Sequence, residues 1–319
     1  MTPPLRIGYV PEHFSTPLHF AVSHFSLPCT LIPFPSGTGH MITSLQANEI
    51  DVGIGLTEGW IAGLGKAQAE RREAGYKMVG AYVETPLCWA ISTGGKRKDL
   101  RDVHQLKGTR MGVSRIGRYA FADCYALLVV DMLMRRSSGS YVMGFVLADK
   151  HGWLNTQASS ANDASPFDIV PLQTFENLRE AVNDGFTADF FMWEHFTSKR
   201  YYDNGVIKKI GEIYTPWPSW HIVARPDVIG DERLEVMIEN LNLGIKYFEE
   251  HHDEAVQYIS TELDYSAEDA REWLKTVNFA EDVRGVRGSV VEKTVEVLKK
   301  AGVLGEVELE GMIGIRRKD

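Results

Sequence analysis

Nine short apolar runs, each five or six residues long, punctuate the chain: "LRIGYV" (5–10), "TLIPF" (30–34), "DVGIGL" (51–56), "MVGAYV" (78–83), "CWAIS" (88–92), "RMGVS" (110–114), "DIVPL" (168–172), "DFFMW" (189–193) and "WHIVA" (220–224). Runs this short fill a strand and are too brief for a buried helix. Between them lie longer stretches with apolar residues at helical spacing. That alternation predicts an α/β architecture with parallel strands.

Helix starts are legible. In "FSTPLHFAVSHF" Thr16 can cap and Pro17 takes the first helical position, where its missing N–H costs nothing. "SGTGHMITSLQANE" puts glycines before a helix with Met41, Ile42 and Leu45 on one face. "RYAFADCYALLVVDMLMRR" reads as a long helix, and the last ninety residues as helices over 231–250, 252–262, 267–277 and 289–301. The adjacent His251 and His252 do not share a helix face, so they are expected at a solvated helix end. "LNTQASSANDASP" (154–166) is a polar loop.

The pattern also repeats. "RIGYVPEHFSTPLHFA" and "RMGVSRIGRYAFADCYA" both run Arg, apolar, Gly, apolar, then a loop and a helix. "LQANEIDVGIGLTEGW" and "AVNDGFTADFFMWEHF" both pass through an Asn turn and an Asp-led strand to a glutamate. Two similar βαβ halves imply two similar domains with the loops at their strand carboxyl ends facing a gap. A length of 319 residues agrees, since a single core rarely grows that large.

Composition narrows the function. The net charge is −9, with 34 basic against 43 acidic residues and no long basic cluster, which argues against a nucleic-acid partner. No apolar run reaches the length of a membrane span and "MTPPLRIGYVPEHF" has no signal core, so a cytoplasmic location is expected and no membrane partner. Cys29, Cys88 and Cys124 are far apart and are expected as reduced thiols without disulfide or metal. There is no GxxxxGKS/T, HExxH or GxGxxG motif, so no cofactor is expected.

What remains is a set of strand-to-helix junctions at Pro11–Thr16, Ser36–His40, Thr57–Trp60 and Arg115–Tyr119. Free N–H groups at helix starts favour anions. Their side chains include Glu12, His13, His40, Glu58, Trp60, Arg115 and Arg118, whereas a structural turn more often uses Gly, Ser, Asp or Asn. The "DFFMW" strand ends on Glu194 and His195, either because strands end on polar residues or because they wall a ligand site. Trp60, Trp89, Trp193, Trp217 and Trp220 fall near strand ends, where packing or stacking on a ligand are both open.

With these residues in view the chain resembles the type II periplasmic binding protein fold, in the branch of alkanesulfonate-binding proteins and fungal thiamine-pyrimidine precursor synthases. "PLCWAISTG" (86–94), "LKGTRMGVSRIG" (106–117), "FMWEHFTSKRYYDNG" (191–205) and "YTPWPSWH" (214–221) resemble a fungal cytosolic subgroup with no assigned ligand. The resemblance implies two lobes of mixed sheet joined by a double crossover hinge, lobe 1 from 1–92 and 221–319 and lobe 2 from 93–220. It implies ligand contacts from the loops bearing Glu12 and His13, Thr38 and His40, Glu58 and Trp60, Ser114, Arg115 and Tyr119, and Trp193, Glu194 and His195. The synthases' iron-associated cysteine cluster has no counterpart here, and Arg118 and Tyr119 stand where relatives have small residues.

The expectation is therefore a protein that closes on an amphoteric or anionic organic ligand between two lobes. An enzyme of cofactor or thiamine-precursor metabolism on the same fold is the alternative. The expected partner is a small molecule; turnover and oligomeric state are open.

Overall fold

The computed structural model describes residues 3–113, 139–154 and 165–318. The chain divides into two compact units, one of Met1–Pro86, Pro216–Val295 and Glu306–Asp319, the other of Leu87–Thr215 and Glu296–Gly305. Among the described residues no helix is long and apolar enough to cross a membrane.

Each unit holds a five-stranded mixed sheet flanked by helices. The first has the order β2-β1-β3-β10-β4, from β1 (Leu5–Tyr9), β2 (Cys29–Pro33), β3 (Val52–Leu56), β4 (Lys77–Val83) and β10 (Trp220–Ala224). The second has the order β7-β6-β8-β5-β9, from β5 (Cys88–Gly94), β6 (Arg110–Val113), β7 (Asp168–Pro171), β8 (Phe190–Glu194) and β9 (Ile207–Tyr214). The sequence pattern predicts parallel strands, yet each sheet carries one reversed strand in its fourth place. These are β10, antiparallel to β3 and β4, and β5, antiparallel to β8 and β9. Each stands where the chain passes from one sheet to the other: β5 follows β4 and opens the second sheet, and β10 follows β9 and returns to the first. That exchange is why the first unit is discontinuous.

The duplication seen in the sequence has a physical core. At the start of β1 and β3, Asp51 accepts from the Arg6 backbone N–H (2.9 Å), Nε (3.0 Å) and Nη2 (2.7 Å). At the start of β6 and β8, Asp189 accepts the same three bonds from Arg110 at 2.9, 2.9 and 3.0 Å. Asp189 takes a fourth from Arg97 Nη2 at 3.1 Å. The guanidinium beside each aspartate holds its carboxyl below the usual range. Replacing Asp189 by Ala is expected to cost about 2 kcal/mol, below the range for breaking a fully buried pair because Arg110 is about a third exposed. Urea unfolding measures this, and a loss under ~0.5 kcal/mol would show that the pair is only a surface bridge.

The strand "DFFMW" is buried on both faces: Phe190, Phe191 and Met192 are all fully buried. Within the two five-stranded sheets one strand escapes the sequence pattern. β9, "IKKIGEIY", interleaves Lys208, Lys209 and Glu212 with its apolar residues because it lies at the sheet edge, paired only with β5.

The C-terminal helices form at Glu232–Glu250, His252–Glu262, Ala267–Leu274 and Gly288–Lys300. The first buries Leu234, Met237, Ile238, Leu241, Ile245 and Phe248, an amphipathic stripe. It lies so close to α1 (Thr16–Phe25) that a Cβ on Gly244 would clash with the Pro17 carbonyl oxygen.

Candidate functional site

Parallel β1, β2 and β3 bring the loops after Tyr9, Pro33 and Leu56 to one edge of the first sheet. Antiparallel β10 begins at that same edge, with Trp220 opposite Leu56 and Val83. Six of the sequence candidates therefore meet there: Glu12, His13, Thr38, His40, Glu58 and Trp60.

They do different things. His13 is 1% exposed and lies among the rings of Phe14, Tyr265 and Trp273, with centroids 4.4–4.6 Å away. Burial lowers its pKa to about 3, so the imidazole is neutral. Glu12 is half-buried at the entry to this turn, where its carbonyl accepts from Ser15 N and Oγ. Thr38 Oγ1 accepts from the Leu56 amide at 2.9 Å and joins the helix α2 (Thr38–Gln46) to the end of β3. A Cβ on Gly55 would meet that oxygen at 2.8 Å and Trp60 Cζ2 at 2.9 Å, so the glycine in "VGIGL" permits the approach. His40 is exposed, with Nδ1 2.8 Å from Ser36 Oγ.

Trp60 and Glu58 stand on α3 (Thr57–Ala69), which begins where β3 ends. Trp60 is fully buried and its indole N–H donates to the His221 carbonyl at 3.1 Å. Thr57 Oγ1 donates to the Pro218 carbonyl at 2.5 Å and lies 2.8 Å from His221 Nδ1. One hydroxyl carries one proton, so Nδ1 must be the donor to Thr57. His221 is 1% exposed and its pKa falls to about 3 through burial.

Glu58 is 2% exposed, with Oε2 accepting from the Trp217 indole at 3.0 Å and Oε1 without a hydrogen-bond partner. Burial pushes its carboxyl up to about 7, against the pull of its own amide and the indole. Trp220 Nε1 is a second buried polar atom with no partner at this edge. It sits by a cavity of about 10 Å³, bounded by Tyr9, Phe14, Ile54 and Tyr82, room for one water.

In the second sheet, parallel β6, β7 and β8 end together. Glu194 is 7% exposed and both its oxygens are used. Oε1 accepts from Phe196 N (3.0 Å), and Oε2 from Thr197 N (2.6 Å) and Thr197 Oγ1 (2.9 Å). The buried strand finishes on a carboxylate because the helix His195–Asp203 starts there and Glu194 is its N-cap. Burial raises its pKa, and the three donors hold it back. The equivalent cap of α3 is Leu56, which has no polar side chain; Glu58 stands two residues further on, so the two glutamates do not occupy equivalent places.

His195 is half-buried, 6.3 Å from the Tyr202 ring and near-parallel to it. Trp193 stacks on Phe175 at 4.9 Å, and Arg179 lies 3.8 Å over Tyr201 beside them. A recess of about 310 Å³ at the end of β7, lined by Pro171, Leu172, Gln173, Asn177, Glu180, Ala181 and Asp184, contains no predicted site residue. Ser114, Arg115 and Tyr119, with Arg118, the helix predicted for "RYAFADCYALLVVDMLMRR" and Cys124, lie outside the described residues.

Cys29 and Cys88 are half-buried free thiols, pushed up to about 11 and about 12 by burial. Among the described residues no group of three His, Cys, Asp or Glu side chains could hold a metal ion. Thr57, Trp217, Trp220 and His221 were not among the predicted contacts. Thr57 lies in the Thr57–Trp60 junction, and the other three fall in the motif "YTPWPSWH".

The family described as Ca3427-like PBP matches residues 129–213. The Candida albicans CA3427 gene product, described as defining a family with the generic periplasmic binding protein fold, is 41% identical, over 96% of this chain and 92% of its own, with a TM-score of 0.77. The alkanesulfonate-binding protein SsuA from Xanthomonas axonopodis pv. citri, bound to MOPS, is 16% identical over the whole of both chains, with a TM-score of 0.71. The periplasmic aliphatic sulphonate binding protein SsuA from Escherichia coli is 14% identical over 98% of this chain and 92% of its own, with a TM-score of 0.69. No curated protein matches the chain.

Proposed function

The chain belongs to the Ca3427-like family of proteins with the periplasmic binding protein fold, and from that premise we propose that it binds a small organic molecule, amphoteric or anionic, at the carboxyl ends of its parallel strands. The observation that carries this reading is Glu58. A carboxylate buried at a sheet edge with one oxygen unpaired is costly to keep, and such groups concentrate at binding sites. The location supports it, since ligands of open α/β sheets bind beyond the strand carboxyl ends. So does the bound MOPS, an amphoteric sulfonate, in a protein of the same fold. At this end of the first sheet, half-buried Glu12 and exposed His40 are the more accessible candidates.

One observation favours a second reading, an enzyme on this fold. A carboxyl held at about 7 is suited to acid–base work at neutral pH. Native mass spectrometry of freshly purified protein separates the two. Binding predicts a co-purifying small molecule that raises the melting temperature on re-addition and is recovered unchanged. Recovery of a converted molecule would favour the enzyme. No bound mass, with no thermal response to organic anions or zwitterions, would count against both.

A further inference from the structure

We propose that Glu58 recognises a cationic nitrogen donor on the ligand, an ammonium or amidinium, through its Oε1. This rests on the binding reading above and specifies what chemistry the ligand must carry. Three observations on the first unit lead to it. Oε2 is already fixed by the Trp217 indole, so the carboxylate cannot turn freely. Oε1 is buried and has no partner, and among the described residues no lysine, arginine or histidine forms an ion pair with Glu58. The carboxylate also sits in the first turn of a 13-residue helix, so the favourable field for an anion at that end already has an occupant.

A second anion beside Glu58 would meet like charge at short range in a dry place. A donor meets the reverse: an unpaired acceptor whose partner it supplies. Glu194 provides the internal contrast. It is buried at 7% exposure, and both its oxygens are already satisfied by three donors from its own helix. The two glutamates that end the duplicated motifs thus divide their work, one closing a helix and one left open to a donor.

The test uses matched sulfonates that differ in the amine alone: 2-aminoethanesulfonate against ethanesulfonate, and 3-aminopropanesulfonate against propanesulfonate. Calorimetry and thermal shift are measured on the full chain at about pH 8. The amine-bearing member of each pair is expected to bind at least ~10-fold tighter, the scale of one charge-assisted hydrogen bond. Glu58→Gln is expected to bring the pair within ~2-fold, the amine-bearing member losing the advantage that the carboxylate gave it. Trp217→Phe, which keeps the carboxylate, is expected to retain the preference for the amine and covers the case in which Glu58→Gln fails to fold.

Equal affinities within each pair in the unaltered protein, or a preference that survives Glu58→Gln, would overturn the proposal and leave the binding reading standing. Loss of the preference in Trp217→Phe as the sole folded variant would also overturn it. No binding of any of the four sulfonates would overturn both.

Discussion

Lowering the pH from about 6.5 to about 4.5 is expected to remove about 5 kcal/mol of stability through two imidazoles, His13 and His221. Each is 1% exposed and held at about 3, against an ordinary value of 6.5. Their folded pKa lies below the unfolded one, so the unfolded chain binds the proton first. The stability they contribute is fully present above about 6.5 and is lost as the pH falls toward about 3. Each unit of pH costs about 1.4 kcal/mol per histidine in that window. His13→Phe keeps a ring among Phe14, Tyr265 and Trp273 and is expected to flatten the acid limb by about 3 kcal/mol, measured as urea unfolding free energy at several pH values. An unchanged limb would mean that His13 reaches water when protonated.

Most of the architecture is legible in the sequence because parallel strands buried on both faces make continuous apolar runs. "IGYV", "VGIGL" and "FFMW" need no neighbours to be recognised. β9 is missed for the complementary reason. An edge strand with one solvated face carries lysines and a glutamate, and by composition it matches a loop. The direction of β10 and β5 is invisible too, since antiparallel and parallel strands buried in one sheet share the same residue types.

The site divides along a similar line. The Arg6–Asp51 and Arg110–Asp189 pairs lie at matching places in a visible repeat, so the duplication could be found from the residues alone. The Glu194 cap is a local matter of three residues, yet the repeat pairs it with Glu58 and hides that only Glu194 is at a helix cap. The bonds that give Glu58 its character come from Trp217, and those of Thr57 and Trp60 from Pro218 and His221, across about 160 positions of chain. No spacing rule reaches that far. The motif "YTPWPSWH" signals that the segment matters and says nothing about which side chain it serves.

Replacing Glu58 by Gln is expected to make the protein more stable relative to the wild type as the pH rises, the gain growing by about 3 kcal/mol between about pH 4.5 and about pH 7 and staying constant above. The sign follows from burial. Glu58 is held at about 7 when folded, against an ordinary 4.5, so between those values the folded chain holds a proton that the unfolded chain has released. Stability therefore falls with rising pH across that window, by about 1.4 kcal/mol per unit. Glutamine accepts the Trp217 indole hydrogen bond without ever ionising, so its pH profile lacks that fall. His221, joined to the adjacent Thr57, stays neutral throughout and adds nothing to the difference between the two proteins. The same change steepens the acid limb of the variant, because the protonation of Glu58 that offsets part of the histidine loss is gone. Tryptophan fluorescence should titrate near pH 7 in the wild type through Trp217 and be flat there in the variant. Parallel unfolding curves, with no titration of the fluorescence, would place the proton elsewhere and remove Glu58 as a site held at a cost to stability. The expected result makes the buried carboxylate a liability of about 3 kcal/mol to the empty protein, a burden that folding alone gives no reason to keep and that a donor bound at Oε1 would relieve.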